Sequence, residues 1–200
     1  MTRVAILDRD GTIIDVVRDE EVGAITVAFH PDQLRLLKGA VAGMRALQDA
    51  GYVLAMATNQ PAPAKGQFSA AAVRRTNDAL VERLAAEGVR IAAVEVCMHH
   101  PDGGEGGDPA LAGPCDCRKP KPGMLNTLLA RLGGDRASSW MIGDAKGDVE
   151  AGRAAGVRTG LVFATNRCEL CPLRDGPGGL RPDVHGATLE AVARAILLHP

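Results

Sequence analysis

The sequence predicts an α/β fold in which a doubly wound parallel sheet is the middle of three layers. Short β-rich apolar runs alternate with amphipathic helical patterns along the chain, and this alternation is typical of a parallel sheet with helices on both faces. Glycines such as Gly51, Gly88 and Gly156 follow the helical patterns at the C′ position. With 46% apolar content over 200 residues, residues 1–200 are expected to form a single globular domain.

Each element follows from its local pattern. Apolar runs predict strands at residues 4–7, 52–57, 91–96, 139–142 and 158–163. Helical periodicity predicts helices at residues 40–50, 124–132, 150–155 and 189–198, and Ser69 is the expected N-cap of a helix that runs to about residue 87. Residues 176–182 are expected to form a loop.

Composition excludes several classes of protein. The formal net charge of −1 gives no overall field that favours nucleic acid or a membrane surface, and no run of about 18 apolar residues is present to span a bilayer. The N-terminal residues reach two aspartates too early for a secretory signal. We therefore expect a cytoplasmic monomer whose partner is a small molecule and whose five cysteines are thiols or metal ligands rather than disulfides.

Two aspartates, Asp8 and Asp10, follow the first apolar run and precede Gly11. Successive side chains of a strand point to opposite faces, so the two carboxylates can converge only if the strand ends at Asp8 and the chain turns at Gly11. Such a pair at the C-terminal end of a buried strand can hold Mg²⁺ or divide the roles of nucleophile and proton donor. The alternative is that both are turn and cap residues.

Three further polar signals are weak when taken singly. Two of them follow apolar runs, which places them with Asp8 along one edge of the sheet. Together the four signals contain what phosphoryl transfer needs, namely a nucleophile, a proton donor, a metal-binding acid, and a hydroxyl and a cation for the phosphate oxygens. The three signals are Thr58 with Asn59, Lys119, and Asp144 with Asp148.

The order and spacing of these signals resemble the four motifs of the aspartate-nucleophile phosphatases of the haloacid dehalogenase superfamily, over about residues 3–165. The resemblance implies that Asp8 attacks phosphorus to form an aspartyl phosphate. It implies that Asp10 protonates the leaving alkoxide and then activates water. It also implies a Mg²⁺ site made by Asp8, the backbone carbonyl of Asp10 and Asp144.

The same resemblance assigns the remaining motif residues. Thr58, the amide of Asn59 and Lys119 would hold the phosphoryl oxygens, and Asp148 would orient the metal shell or Lys119. Members of the superfamily often carry a cap domain between motifs. Here neither gap between the first three motifs has room for a full cap, so we expect an open site.

A second constellation brackets a segment rich in glycine and proline. Cys97 and His99 precede residues 100–114, and Cys115 and Cys117 follow them. Three thiolates and an imidazole suit a closed tetrahedral Zn²⁺ site. Such a structural zinc would staple the loop of residues 97–117 and fix the chain that enters the third motif. The alternative is four unrelated buried or surface residues.

Two points of this cysteine chemistry stay open. His100 competes with His99 as the ligand, and the family resemblance favours His99. Cys168 and Cys171 could bind a metal or form a redox disulfide, but free thiols in a surface segment are favoured because a lone pair of this spacing is a weak signal.

Within the superfamily, the run from Cys115 to Met124, Cys-Asp-Cys-Arg-Lys-Pro-Lys-Pro-Gly-Met, is similar to the D-glycero-D-manno-heptose-1,7-bisphosphate 7-phosphatases. The resemblance implies a Mg²⁺-dependent enzyme that removes the C7 phosphate of this phosphorylated sugar, and it implies that Arg118 helps to recognise the second phosphate. The preferred anomer stays open. Pro61 and Pro63 depart from the group's pattern and stiffen their loop.

Other functions remain as alternatives. The histidinol-phosphate phosphatases share the zinc loop. A polynucleotide 3′-phosphatase would need a basic stripe that the overall charge does not supply. A non-catalytic zinc-binding interaction module on the same fold would be expected to lack Asp8 or Asp10, and both are present.

Overall fold

A computed structural model describes residues 1–19, 21, 23–163 and 181–198 of the chain. Within these residues the strands are β1 Val4–Leu7, β2 Val17–Asp19, β3 Ala24–Thr26, β4 Val53–Asn59, β5 Ile91–Cys97, β6 Trp140–Gly143, β7 Arg158–Val162 and β8 Val184–Gly186. The α-helices are α1 Ala40–Asp49, α2 Ala70–Ala86, α3 Gly123–Leu132, α4 Lys146–Ala155 and α5 Leu189–Leu198. None of them is both long and apolar enough to cross a membrane.

The central sheet has six strands in the order β5-β4-β1-β6-β7-β8, and all neighbours in it are parallel. From β1 the chain builds outward through β4 and β5, and it then crosses to the other side to build β6, β7 and β8. This reversal puts a topological switch point beside β1, where open α/β sheets bind their ligands. A separate antiparallel hairpin, β2–β3, follows β1.

Helices cover both faces of the sheet, which confirms the predicted three layers. Along β1, Ala5 and Leu7 belong to the core formed with α1, α2 and α5. Val4 and Ile6 belong to the opposite core, formed with α3 and α4. In the described part of the chain, the gap before β4 holds the hairpin and α1, and the gap after it holds α2, β5 and a loop. Among the described residues, neither gap forms a cap domain.

Apart from shifts of one residue at several element ends, the predicted elements are found with four differences. The fourth helix begins at Lys146 rather than at residue 150, and β4 continues through Thr58 to Asn59 because its parallel pairing with β5 extends to Cys97. The hairpin β2–β3 and the strand β8 were not predicted, since three residues are too few to show a period. Cys168, Cys171 and most of the predicted loop at 176–182 lie outside the described residues.

Candidate active site

The carboxyl ends of β4, β1 and β6 lie side by side and carry the predicted polar residues. Asp8 follows β1 directly, and its backbone N–H donates to the Ile142 carbonyl at 2.8 Å. A cavity of about 200 Å³ opens at this edge, lined by Asp8, Asp10, Val27, Thr58, Asn59, Lys119, Ala145, Gly147 and Asp148. A larger cavity of about 650 Å³ lies beside the first residues of β4 and β5, and no carboxylate lines it.

Lys119 is the electrostatic centre of the cavity. Its Nζ lies 2.7 Å from Asp8 Oδ1 and 2.6 Å from Asp148 Oδ1, and it donates to the Ala57 carbonyl at 2.9 Å. An ammonium group has three N–H donors, so these contacts use all of them. Burial alone would lower the pKa of Lys119, but the carboxylates of Asp148 and Asp8 outweigh it and raise that pKa.

The surroundings of Asp8 disfavour the ionised form of its carboxyl group. Burial raises the pKa of Asp8 to about 7, and the nearby carboxylates of Asp148 and Asp10 act in the same direction, whereas Lys119 lowers it. Asp8 therefore has a proton affinity suited to losing its proton near neutral pH. A nucleophilic carboxylate must be in that ionised form to attack.

Three carboxylates form a candidate cation site. Oxygen atoms of Asp8, Asp144 and Asp148 lie within 4.8 Å of one another, and Mg²⁺ prefers carboxylate ligands. Asp144 reaches this position because residue 11 is glycine. The φ of Gly11 is +80°, and a Cβ added there would lie 2.0 Å from Asp144 Oδ2. The residues present thus fit a hard divalent cation.

Asp148 is fixed by the start of α4. Its Oδ2 accepts the backbone N–H of Ala145 at 3.0 Å, and its Oδ1 meets Lys119. Because α4 begins four residues earlier than predicted, Asp148 lies in the first helical turn rather than in a loop. Asp148 thus contacts Lys119 and also contributes an oxygen to the candidate cation site.

Asp10 lies in a different hydrogen-bond environment from that of Asp8. The Nε and Nη2 groups of Arg9 donate to Asp10 Oδ2 and Oδ1 at 3.0 and 3.1 Å. Gln60 Nε2 lies 2.6 Å from Asp10 Oδ2 and 2.8 Å from Thr58 Oγ1, and donates to both. Sequence reasoning did not select Arg9 or Gln60. Their positions in the sequence could have indicated them, because Arg9 lies between Asp8 and Asp10 and Gln60 follows Asn59.

Asn59 connects the second and third motifs. Its side chain donates to the Lys119 carbonyl at 3.0 Å and accepts the Lys119 backbone N–H at 3.1 Å. This paired amide contact fixes the backbone of Lys119 from β4. The side chain of Asn59 is thus engaged by protein.

The predicted Cys/His cluster is assembled at the end of β5. Cys97 Sγ lies 2.9 Å from Cys117 Sγ and 3.7 Å from Cys115 Sγ, and His99 Nδ1 lies 3.4 Å from Cys117 Sγ. A tetrahedral zinc with bonds of about 2.0–2.3 Å separates its ligand atoms by about 3.5–3.8 Å. The 3.7 Å and 3.4 Å distances are close to that range and the Sγ–Sγ distance of 2.9 Å is shorter, so the four residues are grouped as candidate zinc ligands. His100 is not a member, because its Nδ1 accepts the backbone N–H of Asp102 at 3.3 Å.

Arg118 lies between the cluster and the cavity. It is half-buried, and its Nη1 donates to the His99 carbonyl at 3.4 Å. It does not line the cavity that contains Asp8, unlike its chain neighbour Lys119. A ligand would have to extend beyond the cavity to reach the guanidinium.

Comparisons with known proteins agree with this geometry. The HAD-hydrolase-like family model matches residues 116–174. The D-glycero-β-D-manno-heptose-1,7-bisphosphate 7-phosphatase of Pseudomonas aeruginosa is 34% identical over 157 residues, which cover 78% of this chain and 79% of the relative. The Rhodopseudomonas palustris protein of the same name is 39% identical over 153 residues, 76% of this chain and 79% of the relative.

A solved structure extends the similarity to the whole chain. The D,D-heptose 1,7-bisphosphate phosphatase from B. bronchiseptica, complexed with magnesium and phosphate, superposes with a TM-score of 0.76 at 30% identity, and the match covers 100% of both chains.

Proposed function

Since the chain belongs to the family of D-glycero-β-D-manno-heptose-1,7-bisphosphate 7-phosphatases, we propose that it removes the C7 phosphate of D-glycero-D-manno-heptose 1,7-bisphosphate. The observation that carries the proposal is the convergence of Asp8, Lys119 and Asp148 in one cavity, with Asp10 at its wall. We also propose that the protein acts as a monomer.

The first half of the reaction forms a covalent intermediate. A carboxylate oxygen of Asp8 attacks phosphorus, the bond from phosphorus to the C7 oxygen breaks, and Asp10 gives its proton to that leaving oxygen. Lys119, 2.7 Å from Asp8 Oδ1, places a positive charge beside the attacking carboxylate. Thr58 and Asn59 line the cavity, and the Thr58 hydroxyl and the Asn59 amide would contact the phosphoryl oxygens. Each of these contacts stabilises charge that is redistributed in the transition state.

The second half restores the enzyme. Asp10, now ionised, takes a proton from water, and the resulting hydroxide attacks the phosphorus of the aspartyl phosphate. The bond from phosphorus to Asp8 breaks, and inorganic phosphate leaves. The same carboxylate thus serves first as general acid and then as general base.

Two metal ions are part of the proposal. Mg²⁺ held by Asp8, Asp144 and the Asp10 carbonyl would neutralise charge between the nucleophile and the phosphate. Zn²⁺ held by the Cys/His cluster would be structural, since four protein ligands leave no open position. It would hold the chain that presents Arg118 and Lys119.

Arg118 supports a substrate with two phosphates. The guanidinium is a planar fork suited to phosphate, and it lies outside the cavity in which the first phosphate would react. A sugar that carries phosphates at both ends could place one in the cavity and the other against Arg118. The names of the relatives favour the β anomer.

Phosphate release from a panel of substrates tests this function. We expect Mg²⁺-dependent release from both anomers of heptose 1,7-bisphosphate, with higher kcat/KM for the β anomer. We expect Asp8→Asn to reduce it to background and Arg118→Ala to lower kcat/KM more for the bisphosphate than for a simple monophosphate ester. Higher kcat/KM for histidinol phosphate or a 3′-phosphorylated oligonucleotide would refute the proposed substrate.

A further inference from the structure

Arg9 is a fully buried cation whose contacts reach well beyond its own motif. While Nε and Nη2 bind the two oxygens of Asp10, Nη1 donates to Asn77 Oδ1 at 2.7 Å. Nη2 also donates to the Ala28 carbonyl at 3.0 Å. We propose that Arg9 and Asn77 are positioning residues that set the carboxylate of Asp10 for its acid–base role, an inference that rests on the proposed function.

The geometry at Asp10 restricts its carboxylate in two ways. Two roughly parallel N–H donors from one guanidinium fix the plane of a carboxylate as well as its position. Gln60 contacts Oδ2 from the side of Thr58, so rotation about the side chain would break contacts on both sides. Proton transfer requires the donor within hydrogen-bond reach of the reacting oxygen, and these contacts provide that placement.

Asn77 is the residue that orients Arg9. It is 3% exposed in the middle of α2, where asparagine is a poor helix former. Its Nδ2 has no hydrogen-bond partner among the described residues, which is unfavourable for a buried amide. Packing alone would be served better by leucine. The contact that accounts for asparagine here is its Oδ1 accepting from Arg9.

The test separates proton delivery from binding and folding. The C7 alkoxide of heptose 1,7-bisphosphate needs a proton as it leaves, whereas the phenolate of p-nitrophenyl phosphate leaves without one. The kcat/KM of each substrate reports the steps through formation of the aspartyl phosphate. The ratio of the two kcat/KM values therefore measures how well Asp10 delivers its proton.

Asn77→Leu keeps the side-chain size and removes the acceptor for Arg9. We expect the ratio of kcat/KM for the heptose substrate to kcat/KM for p-nitrophenyl phosphate to fall about tenfold. This is less than the ~10²–10⁴-fold that general acid catalysis contributes in full, because Gln60 still contacts Asp10. Asn77→Asp retains an oxygen for Arg9 and should keep the ratio within about threefold of wild type. The matched control is Thr76→Val, a neighbouring buried residue whose hydroxyl contacts only the Ala72 carbonyl among the described residues. It should leave the ratio unchanged.

A second variant covers the case in which Asn77→Leu does not fold. Arg9→Lys keeps the buried charge but lacks the planar fork of two nitrogens that binds Asp10, and the same fall in the ratio is expected. Equal losses for both substrates, or an unchanged ratio in a folded variant, would overturn the inference while leaving the proposed function in place. Failure of the wild type to hydrolyse the heptose would instead overturn the function.

Discussion

Replacement of Asp8 by asparagine should make the magnesium-free protein more stable at neutral pH and not at acidic pH. The pKa of Asp8 is raised from 3.8 to about 7 in the folded state, chiefly by burial. An acid with a raised pKa keeps its proton in the native state at pH values where the unfolded chain has lost it. The proton on Asp8 therefore stabilises the native state most below about pH 4, and this stabilisation is lost as the pH rises to about 7.

The size of the effect follows from this shift. Between the two pKa values the free energy of unfolding falls by about 1.36 kcal/mol per pH unit. From pH 5 to pH 7 the wild type should thus lose about 2 kcal/mol relative to Asp8→Asn, because asparagine does not titrate. Above pH 7 the difference should be constant. Added Mg²⁺ should stabilise the wild type and reduce this difference, since the carboxylate is a proposed ligand.

The assay is urea unfolding of both proteins at several pH values in magnesium-free buffer without chelator, so that the proposed zinc of the Cys/His cluster would not be removed. The matched control is Asp78→Asn, which removes an exposed carboxylate on α2 and should give a difference independent of pH. A stability difference between wild type and Asp8→Asn that does not change between pH 5 and pH 7 would refute the reasoning.

Two further predictions concern the metal sites. Elemental analysis of the wild type should give about one zinc ion per chain. Cys117→Ser should lower this zinc content and should reduce activity, because the zinc would hold the segment that carries Arg118 and Lys119. Full activity in a zinc-free protein would contradict this prediction. Gly11→Ala should weaken the apparent Mg²⁺ affinity at least about tenfold, measured by titrating activity with Mg²⁺, because the new Cβ would displace Asp144. Gly106→Ala is the matched control, since it has a similar φ of +72° and nothing within 4 Å.

The sequence predicted the residues at the sheet edge because their position depends on local patterns. Apolar runs that end in polar residues locate strand ends, and parallel strands bring those ends together. The Cys/His cluster was equally predictable, since its ligands lie at both ends of one loop. These are arrangements in which chain order and strand direction already determine proximity.

Other features depend on contacts that no local pattern contains. Two of the acceptors of Arg9 lie 19 and 68 residues away in the chain, so the first motif alone does not reveal whether that arginine faces solvent or the core. The hairpin β2–β3 is held by three residue pairs, too few to show an alternation. Thr58 and Asn59 join β4 because of their pairing with β5, which is a property of the assembled sheet.

The buried cations explain how one motif can provide two different carboxylates. Asp8 and Asp10 are two residues apart, yet Lys119 from a distant segment pairs with Asp8, and the intervening Arg9 pairs with Asp10. The turn at Gly11 and the end of β1 at Leu7 send the two side chains to different partners. Environment, more than residue type, divides acid–base and nucleophilic roles between neighbouring carboxylates. On the proposed mechanism, Arg9 therefore belongs to the chemistry of the motif together with the aspartates on either side of it.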